Sequence, residues 1–226
     1  SNSKYTKNLI QNISPELNNI EVIYPGVSNF DNINEEKILL ADGEPTLLTL
    51  ARLEKRKGHK NILFAVNNLR NQYPNIRYII AGNGEEKSNL KSLVDRMNIS
   101  KHVIFIGSIN DHQKKYILNQ TDLMIMPTTN EIDKFSVEGF GIAYIEAALF
   151  GIPSIASNIG GTKEAVLHNK TGIVLDNLDD LENNIKDLIE NKEKRKLFGE
   201  NAKKRALQEL KWDNQVNKYQ NLISKI

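Results

Sequence analysis

The chain contains no cysteine, which excludes disulfide bridges, thiol nucleophiles and cysteine metal sites in all 226 residues. Long apolar runs are missing too, since none approaches the roughly 20 residues of a membrane span. Residues 1–8 lack the charged-then-apolar order of a signal peptide. There is also no GxxxxGK[ST] loop, no HExxH and no Asp-x-Asp cluster. We therefore expect a cytoplasmic protein whose chemistry uses neither a metal ion nor a cofactor.

Charge of one sign is not in large excess. The formal net charge is +2, with acidic and basic residues interspersed, which argues against a nucleic-acid partner. Residues 181–226 lean basic, with 11 Lys and Arg against 7 Asp and Glu. Such a tail is suited to peripheral contact with the inner face of an anionic membrane, although lysine-rich helices more often present a solvated face.

Seven short apolar runs, rich in Ile, Val and Leu, predict buried strands because they lack polar alternation. They span residues 20–24, 46–53, 76–82, 102–107, 122–127, 152–157 and 172–175. Apolar residues at helical spacing lie between them, at 62–69, 90–97, 116–117 and 142–149. This alternation favours an α/β fold, a Rossmann-like doubly wound parallel sheet, with extra helices at the C-terminal end.

The sequence suggests two parts of unequal size. Residues 29–226 form the predicted Rossmann-like domain with its C-terminal helices, which we expect to break near Gly199. Residues 1–28 precede the first complete strand–helix unit and are predicted to lead into this domain. Because the sequence starts without methionine, we expect the chain to be a piece of a longer protein.

Cations follow the second apolar run, at the edge of the sheet where ligands bind in open α/β folds. The segment ARLEKRKGHKN carries Arg52, Lys55, Arg56 and Lys57 directly after the strand predicted at 46–50. Several cations at one strand end favour a phosphate ligand, although a solvated basic turn would leave the same pattern. Arg52 and Lys57 are the candidates for neutralising a diphosphate without a metal ion.

Glycines mark two further strand ends. In AGNG, the residues Gly82, Asn83 and Gly84 open a helix. Lys87 stands where a dinucleotide fingerprint has its third glycine, so a tight turn is the simpler interpretation. Small residues there would still let a ligand approach the backbone. The paired glycines of NIGGTKEAV, residues 158–166, fit a structural turn and a ligand loop about equally well.

The stretch EGFGIAYIEA places Glu138 and Glu146 eight positions apart in a segment that otherwise has the pattern of a buried helix. We expect this helix to begin near Gly141, which leaves the N–H groups of residues 140–142 free to bind an anion. A helix rises roughly 1.5 Å per residue, so the two carboxylates could lie up to about 12 Å apart, a span comparable to a nucleotide sugar.

Two interpretations of these carboxylates stay open at this point. Taken singly, Glu138 fits a partner of the helix dipole and Glu146 fits a surface residue. Taken together, one carboxylate would accept hydrogen bonds from sugar hydroxyls and the other from ribose hydroxyls. Apolar residues and alanines surround Glu146, and an enclosed carboxylate needs a partner. The four histidines lack metal-ligand spacing and are interpreted as structural or surface residues.

These motifs together resemble the retaining, nucleotide-sugar-dependent glycosyltransferases of family four, which have the two-domain GT-B fold. EGFGIAYIEA resembles their ExxxxxxxE signature, and ARLEKRKGH resembles their GRLxxxKG segment, with Ala51 in place of the usual glycine. AGNG, HVIFIG and GGTKE follow in the family's order, so the resemblance covers roughly residues 20–220. It implies that the sheet is the C-terminal, donor-binding half of a GT-B fold.

The resemblance also implies roles for individual residues. Arg52 and Lys57 would bind the donor diphosphate and Glu138 the hydroxyls of the donor sugar, so these three are the predicted catalytic residues. Glu146 would bind the ribose, and Ile109 would lie beside the base. The full set of predicted donor-binding residues is Gly82, Asn83, Gly84, Ile109, Phe140, Gly141, Ile142 and Glu146.

The activity implied by the resemblance is transfer of a sugar from a nucleoside-diphosphate sugar to a hydroxyl acceptor with retention, in the synthesis of a surface polysaccharide or another glycan. The acceptor could be a glycan, a lipid-linked saccharide or a small molecule. Residues 1–28 resemble the last helix and the linker of the family's N-terminal domain, which is otherwise missing, so we expect weak or no activity from this chain alone. A non-catalytic nucleotide-sugar-binding scaffold and another GT-B enzyme, such as a sugar-nucleotide epimerase, are the alternatives.

Overall fold

Parallel strands form the centre of the fold. The computed structural model describes residues 1–130 and 136–224. The strands in these residues are β1 (Thr46–Leu50), β2 (Arg77–Ala81), β3 (Val103–Gly107), β4 (Leu123–Met126), β5 (Ser154–Ser157) and β6 (Gly172–Leu175). They form one sheet in the order β3-β2-β1-β4-β5-β6, and every adjacent pair is parallel. Six of the seven predicted strands are thereby confirmed.

Helices connect the strands and continue beyond the last one. They are α1 (Lys4–Ile13), α2 (His59–Leu69), α3 (Lys87–Arg96), α4 (Asp111–Asn119), α5 (Ile142–Leu149), α6 (Thr162–Ala165), α7 (Leu181–Glu190), α8 (Lys192–Glu209) and α9 (Trp212–Ile223). The segments α2 to α6 each join two successive strands, while α7 to α9 are the predicted C-terminal helices. Among the described residues, no helix is both long enough and apolar enough to span a membrane.

Both faces of the sheet are buried, which explains why the strand sequences lack polar alternation. Successive strand residues point to opposite faces. Leu47 and Tyr78 face the cluster formed with α2, α3 and α7, whereas their neighbours Leu48 and Ile79 face the cluster formed with α4, α5 and α8. The fold is therefore the predicted doubly wound, three-layered α/β arrangement.

One strand prediction was wrong. Within the described part of the chain, residues 20–24 pair with no strand. Their apolar side chains are buried or half-buried without a strand, since Ile23 is only 6% exposed and the half-buried Tyr24 stacks on Phe140 with ring centroids 5.0 Å apart. The apolar pattern indicated burial correctly. A strand, however, also needs an adjacent strand with free backbone hydrogen-bonding groups.

The predicted break near Gly199 was also wrong, because α8 continues through it. A Cβ atom at this position would lie 2.0 Å from the carbonyl oxygen of Gly151. Gly199 therefore permits close packing of α8 against the turn that follows α5, and its small size serves that contact rather than a helix end.

Residues 1–28 pack against the sheet's carboxyl-edge loops. The Glu164 carboxylate accepts hydrogen bonds from the backbone N–H groups of Lys4 at 2.8 Å and Tyr5 at 2.9 Å, and from the Tyr24 hydroxyl at 3.0 Å. A carboxylate at a helix N-terminus accepts hydrogen bonds from the free amides and interacts favourably with the positive end of the helix dipole. The boundary drawn at residue 28 stays a prediction.

Candidate active site

The carboxyl ends of β1 and β4 form the edge at which a ligand is expected. These strands are neighbours, and the sequence order reverses between them, because β1 continues to β2 on one side and β4 to β5 on the other. In doubly wound sheets such a reversal opens a crevice beyond the strand ends. The cationic segment after β1 and the loop that leads into α5 meet in this crevice.

A short 3₁₀ turn, Lys55–Lys57, presents the cations. It ends at Gly58, whose φ of +73° favours glycine. A Cβ atom there would lie 2.2 Å from the carbonyl oxygen of Pro127, and the Thr129 N–H donates to the Arg56 carbonyl at 2.7 Å. The turn is thus braced against the segment that follows β4, which fixes where its side chains point.

Two side chains of this turn, those of Arg56 and Lys57, converge on Glu138. Lys57 Nζ and Arg56 Nη1 both donate to Glu138 Oε2, the latter at 3.1 Å. Arg56 Nε also donates to Glu54 Oε2 at 3.1 Å. The Lys57, Arg56 and Glu138 side chains are only 10%, 7% and 12% exposed, and breaking a buried ion pair typically costs about 3–5 kcal/mol. The cluster therefore holds one carboxylate between two cations at a defined point.

Arg52 does not join this cluster directly. Its side chain is 73% exposed and pairs with Glu54 Oε1 at 3.0 Å, so its predicted contact with a diphosphate stays a prediction. Instead, Arg56 lies beside Glu138. The sequence had given no specific role to Arg56. Its position within the turn, next to Lys57, was the available signal.

The paired glycines after β5 hold the backbone of Glu138. The Gly161 N–H donates to the Glu138 carbonyl at 2.8 Å. Gly160 has a φ of +63°, and a Cβ atom there would lie 2.2 Å from the same carbonyl oxygen. The glycine pair of NIGGTKEAV is thus a structural turn. It also serves the candidate site, because it positions a candidate ligand-binding residue.

Helix α5 begins where the sequence predicted, with Gly141 as its N-cap at a φ of +99° and Ile142 as its first residue. Phe140 is buried against Tyr24. The Tyr144 N–H donates to the Gly141 carbonyl at 3.1 Å. Within the part of the chain that the structure describes, no carbonyl accepts a hydrogen bond from the Phe140, Gly141 or Ile142 amides. These amides, at the positive end of the helix dipole, suit an anion.

Glu146 lies one helical turn further and has a cationic partner that the sequence did not predict. Lys114 Nζ donates to Glu146 Oε1 at 2.8 Å and to Asp111 Oδ1 at 3.0 Å. Burial opposes the charged form of Lys114, but its hydrogen bonds and charge pairing with the two carboxylates prevail and raise its pKa. Glu146 is 18% exposed, as its apolar surroundings indicated. Ile109 packs partly buried against the apolar cluster on the α5 face of the sheet.

The glycines after β2 are explained by close packing of two chain segments. A Cβ atom at Gly82 would lie 2.0 Å from the Ala51 carbonyl oxygen, and one at Gly84 would lie 2.4 Å from the Leu53 carbonyl oxygen. The Leu53 N–H donates to the Asn83 carbonyl at 3.0 Å. This packing brings the AGNG turn beside the cationic segment after β1, and the donor contacts of its residues stay predictions.

Histidines serve as structural links. His59 contacts the Arg52 carbonyl, His102 the Ile76 carbonyl, His112 the Asn34 carbonyl and His168 the Val174 N–H. In residues 1–130 and 136–224, no three His, Asp or Glu side chains are placed to hold a metal ion. His59 begins α2, directly after the cationic turn and Gly58, and its Nδ1 also contacts the Tyr78 hydroxyl at 3.2 Å.

His59 is expected to make the stability of the fold depend on pH. Burial lowers its pKa from 6.5 to about 4, although its hydrogen bond to the Arg52 carbonyl acts in the opposite direction. Between these values the unfolded chain binds a proton that the folded chain does not, so the free energy of unfolding falls as the pH is lowered from about 6.5 to about 4. The total loss is about 3 kcal/mol. Urea unfolding at several pH values measures it.

The matched variant for this measurement is His59→Gln, which keeps a polar side chain but cannot titrate. Its free energy of unfolding should change less over the same pH range. Equal slopes for the two proteins would show that other groups cause the pH dependence.

Two of the cavities in the described part of the chain differ in their position relative to the charged cluster. One of about 650 Å³ opens at the amino ends of the strands, at the opposite edge of the sheet, and is lined by residues that include Glu44, Arg77 and Asp122. The other, of about 550 Å³, lies beside α2 and α3 and adjoins the cationic turn through Glu54 and Gly58. Among the described residues, neither lining includes Lys57 or Glu138.

Comparison with known proteins agrees with this arrangement. Residues 30–205 match the family described as Glycosyl transferases group 1. The chain belongs to this family. The matched region contains both the segment after β1 and the ExxxxxxxE stretch on which the resemblance was based.

Named relatives support the same family. A GDP-mannose-dependent alpha-(1-6)-phosphatidylinositol monomannoside mannosyltransferase of Mycobacterium tuberculosis is 28% identical over 221 residues, which are 93% of this chain and 57% of that protein. The mouse alpha-1,3/1,6-mannosyltransferase ALG2 is 30% identical over 193 residues, which are 76% of this chain and 45% of that protein. The chain therefore spans about half the length of these relatives.

Solved structures show the fold. The structure of Anabaena Alr3699/HepE in complex with UDP and glucose superposes with a TM-score of 0.82 at 22% sequence identity. The match covers 100% of this chain and 62% of that one. This member of the family thus has the Rossmann-like architecture of GT-B proteins, as its sequence predicted.

Proposed function

We propose that this chain is the donor-binding half of a retaining glycosyltransferase, which binds a nucleoside-diphosphate sugar in the crevice between β1 and β4. One observation carries the proposal. Lys57 and Glu138 follow different strands, yet they meet at one point, shortly before the α5 amides that donate to no carbonyl of the described residues. A diphosphate needs cations and N–H donors, a sugar needs a carboxylate acceptor for its hydroxyls, and this site supplies all three.

Each group has a distinct role in this proposal. The diphosphate lies over the N-terminus of α5, where it accepts hydrogen bonds from the Gly141 and Ile142 amides and contacts Lys57. The Glu138 carboxylate accepts hydrogen bonds from hydroxyls of the donor sugar. Negative charge develops on the leaving diphosphate as its bond to the sugar breaks, so Lys57 and the amides stabilise the transition state more than the ground state. The protein neutralises the diphosphate itself, so this binding mode requires no metal ion.

The nucleoside end of the donor extends toward α4 and α5. Glu146 accepts hydrogen bonds from the ribose hydroxyls, and its contact with Lys114 holds its orientation. Ile109, Gly82 and Gly84 lie at neighbouring strand ends, where an apolar side chain and exposed backbone can meet a flat base.

The acceptor side of the reaction is proposed to lie outside this chain. The curated relatives are about twice as long as the region they share with it, so a second domain would cover the open strand edge. We expect the isolated chain to bind the donor better than it transfers sugar. The acceptor is a hydroxyl of a glycan, a lipid-linked saccharide or a small molecule.

Relatives differ in the base and sugar that their names report. The mycobacterial protein is named as GDP-mannose-dependent, whereas the Anabaena protein was solved with UDP and glucose. Both kinds of donor therefore belong in a binding test of this chain.

The test is thermal unfolding of the chain with a panel of UDP, GDP and ADP sugars. A donor present at 100 times its dissociation constant should raise the free energy of unfolding by about 2.7 kcal/mol. We expect this shift for the sugars of one base and smaller shifts for the others. Free mannose and glucose serve as controls without the diphosphate. If no member of the panel changes the unfolding temperature, the proposal fails.

A further inference from the structure

Arg56 is a buried cation that the proposed donor contacts do not use. Its guanidinium is held between two carboxylates, with Nε donating to Glu54 Oε2 and Nη1 to Glu138 Oε2, each at 3.1 Å. The Arg56 side chain is only 7% exposed. A planar, forked donor that engages two acceptors fixes the orientation of both.

The backbone of Arg56 is also held in place, by a hydrogen bond and by close packing of the neighbouring chain. Its carbonyl accepts a hydrogen bond from the Thr129 N–H at 2.7 Å, and the next turn of chain at Gly58 is pressed against Pro127. Arg56 would have to break contacts on both sides to follow an incoming ligand. It is therefore the fixed cation of the cluster.

Lys57 is the mobile cation of the same cluster. Its ammonium donates to the same oxygen of Glu138 as Arg56 does, but a lysine has a flexible stem and rotatable donors. A diphosphate carries more negative charge than a carboxylate, so it competes for the Lys57 ammonium. Once Lys57 turns to the diphosphate, Glu138 keeps Arg56 as its cationic partner within this cluster and lies beside a new anion.

We propose that Arg56 is a positioning residue that holds the Glu138 carboxylate toward the donor sugar while Lys57 changes its partner from Glu138 to the diphosphate. The inference rests on the proposed function and extends it to a residue that contacts neither sugar nor phosphate. Arg56 offsets the repulsion between the Glu138 carboxylate and the diphosphate. It thereby lets both anions occupy the crevice together.

A double-mutant cycle tests this inference, with donor affinity measured by calorimetry. The ligand is the nucleoside-diphosphate sugar that stabilises the wild-type chain most in the panel above. The four proteins are the wild type, Arg56→Met, Glu138→Gln and the double variant. Arg56→Met should weaken donor binding about 10-fold, or 1.4 kcal/mol, in the wild-type background. In the Glu138→Gln background it should change binding less than about 2-fold, because Arg56 acts through Glu138.

Two further variants keep the test independent of folding. Lys55→Met changes the exposed cation of the same turn and should leave donor affinity unchanged. Glu54→Gln removes one anchor of Arg56 while keeping Arg56 itself, and should weaken binding in the same direction by about 3-fold. Thermal unfolding without ligand identifies any variant that fails to fold, and the Glu54→Gln cycle against Glu138→Gln then takes the place of the Arg56→Met cycle.

The outcomes are distinguishable. Loss of the Arg56→Met effect in the Glu138→Gln background supports the positioning role. Equal losses in both backgrounds overturn it, because Arg56 would then contact the donor itself or act through the fold, while donor binding by the wild type would still support the proposed function. A wild-type chain that binds no donor overturns the proposed function and this inference together.

Discussion

Replacing Lys57 with alanine is expected to lower sugar-transfer turnover by about 100-fold or more in the proposed glycosyltransferase. Lys57 meets Glu138 shortly before the start of α5, where we propose that the diphosphate leaves, so its charge would act on the transition state. The substitution also removes one of the cations that partner Glu138. Steady-state kinetics with the donor found in the binding panel gives the measurement, and kcat should fall more than KM rises.

Lys55→Ala is the matched control, because Lys55 belongs to the same 3₁₀ turn but is exposed. It should change turnover less than about 2-fold, as surface substitutions usually do. Near-normal turnover of Lys57→Ala would remove Lys57 from the proposed role. A similar loss in both variants would show a general effect of positive charge near the crevice.

A methyl group added at Gly160 is expected to disrupt the site without replacing any charged residue. The Cβ of Gly160→Ala would lie 2.2 Å from the Glu138 carbonyl oxygen, so the backbone that carries this carboxylate must move. The positive φ adds about 1–2 kcal/mol. We expect the free energy of unfolding to fall by about 3 kcal/mol or more, and donor binding to be lost even where the chain remains folded.

Gly151→Ala separates the steric effect from the backbone effect. Gly151 has a φ of +73°, similar to the +63° of Gly160, but its Cβ would meet only the Gly199 carbonyl oxygen at 3.9 Å. It should lose about 1–2 kcal/mol and bind the donor normally. If the two variants lose equal stability and bind equally well, the Glu138 backbone does not depend on Gly160.

The sheet and the location of the site could be predicted from the sequence, because both follow from local patterns. Six apolar runs without polar alternation became strands, as burial on both sheet faces requires. The start of α5 at Ile142 was signalled by Gly141, whose left-handed conformation suits glycine. In a parallel doubly wound sheet, the segments that follow the strands lie at the carboxyl edge, so Lys57 and Glu138 were expected at the same edge.

Side-chain pairing could not be predicted, because it depends on contacts between residues far apart in the sequence. The sequence indicated that Glu146 needed a partner, but nothing in its pattern identified Lys114 on α4. Likewise, the cations after β1 were visible as a group, while the choice of Arg56 over Arg52 as the neighbour of Glu138 depends on how the 3₁₀ turn is braced against Pro127 and Thr129.

The central claim is that Lys57, Glu138 and the amides opening α5 form one binding site for the diphosphate and sugar of a nucleotide-sugar donor. A crystal structure of this chain with the donor that stabilises it most tests the claim directly. The account predicts the diphosphate within hydrogen-bond distance of Lys57 Nζ and of the Gly141 and Ile142 amides, with Glu138 on the sugar hydroxyls. A donor bound at the opposite edge of the sheet, with the Lys57–Glu138 pair intact, would contradict it.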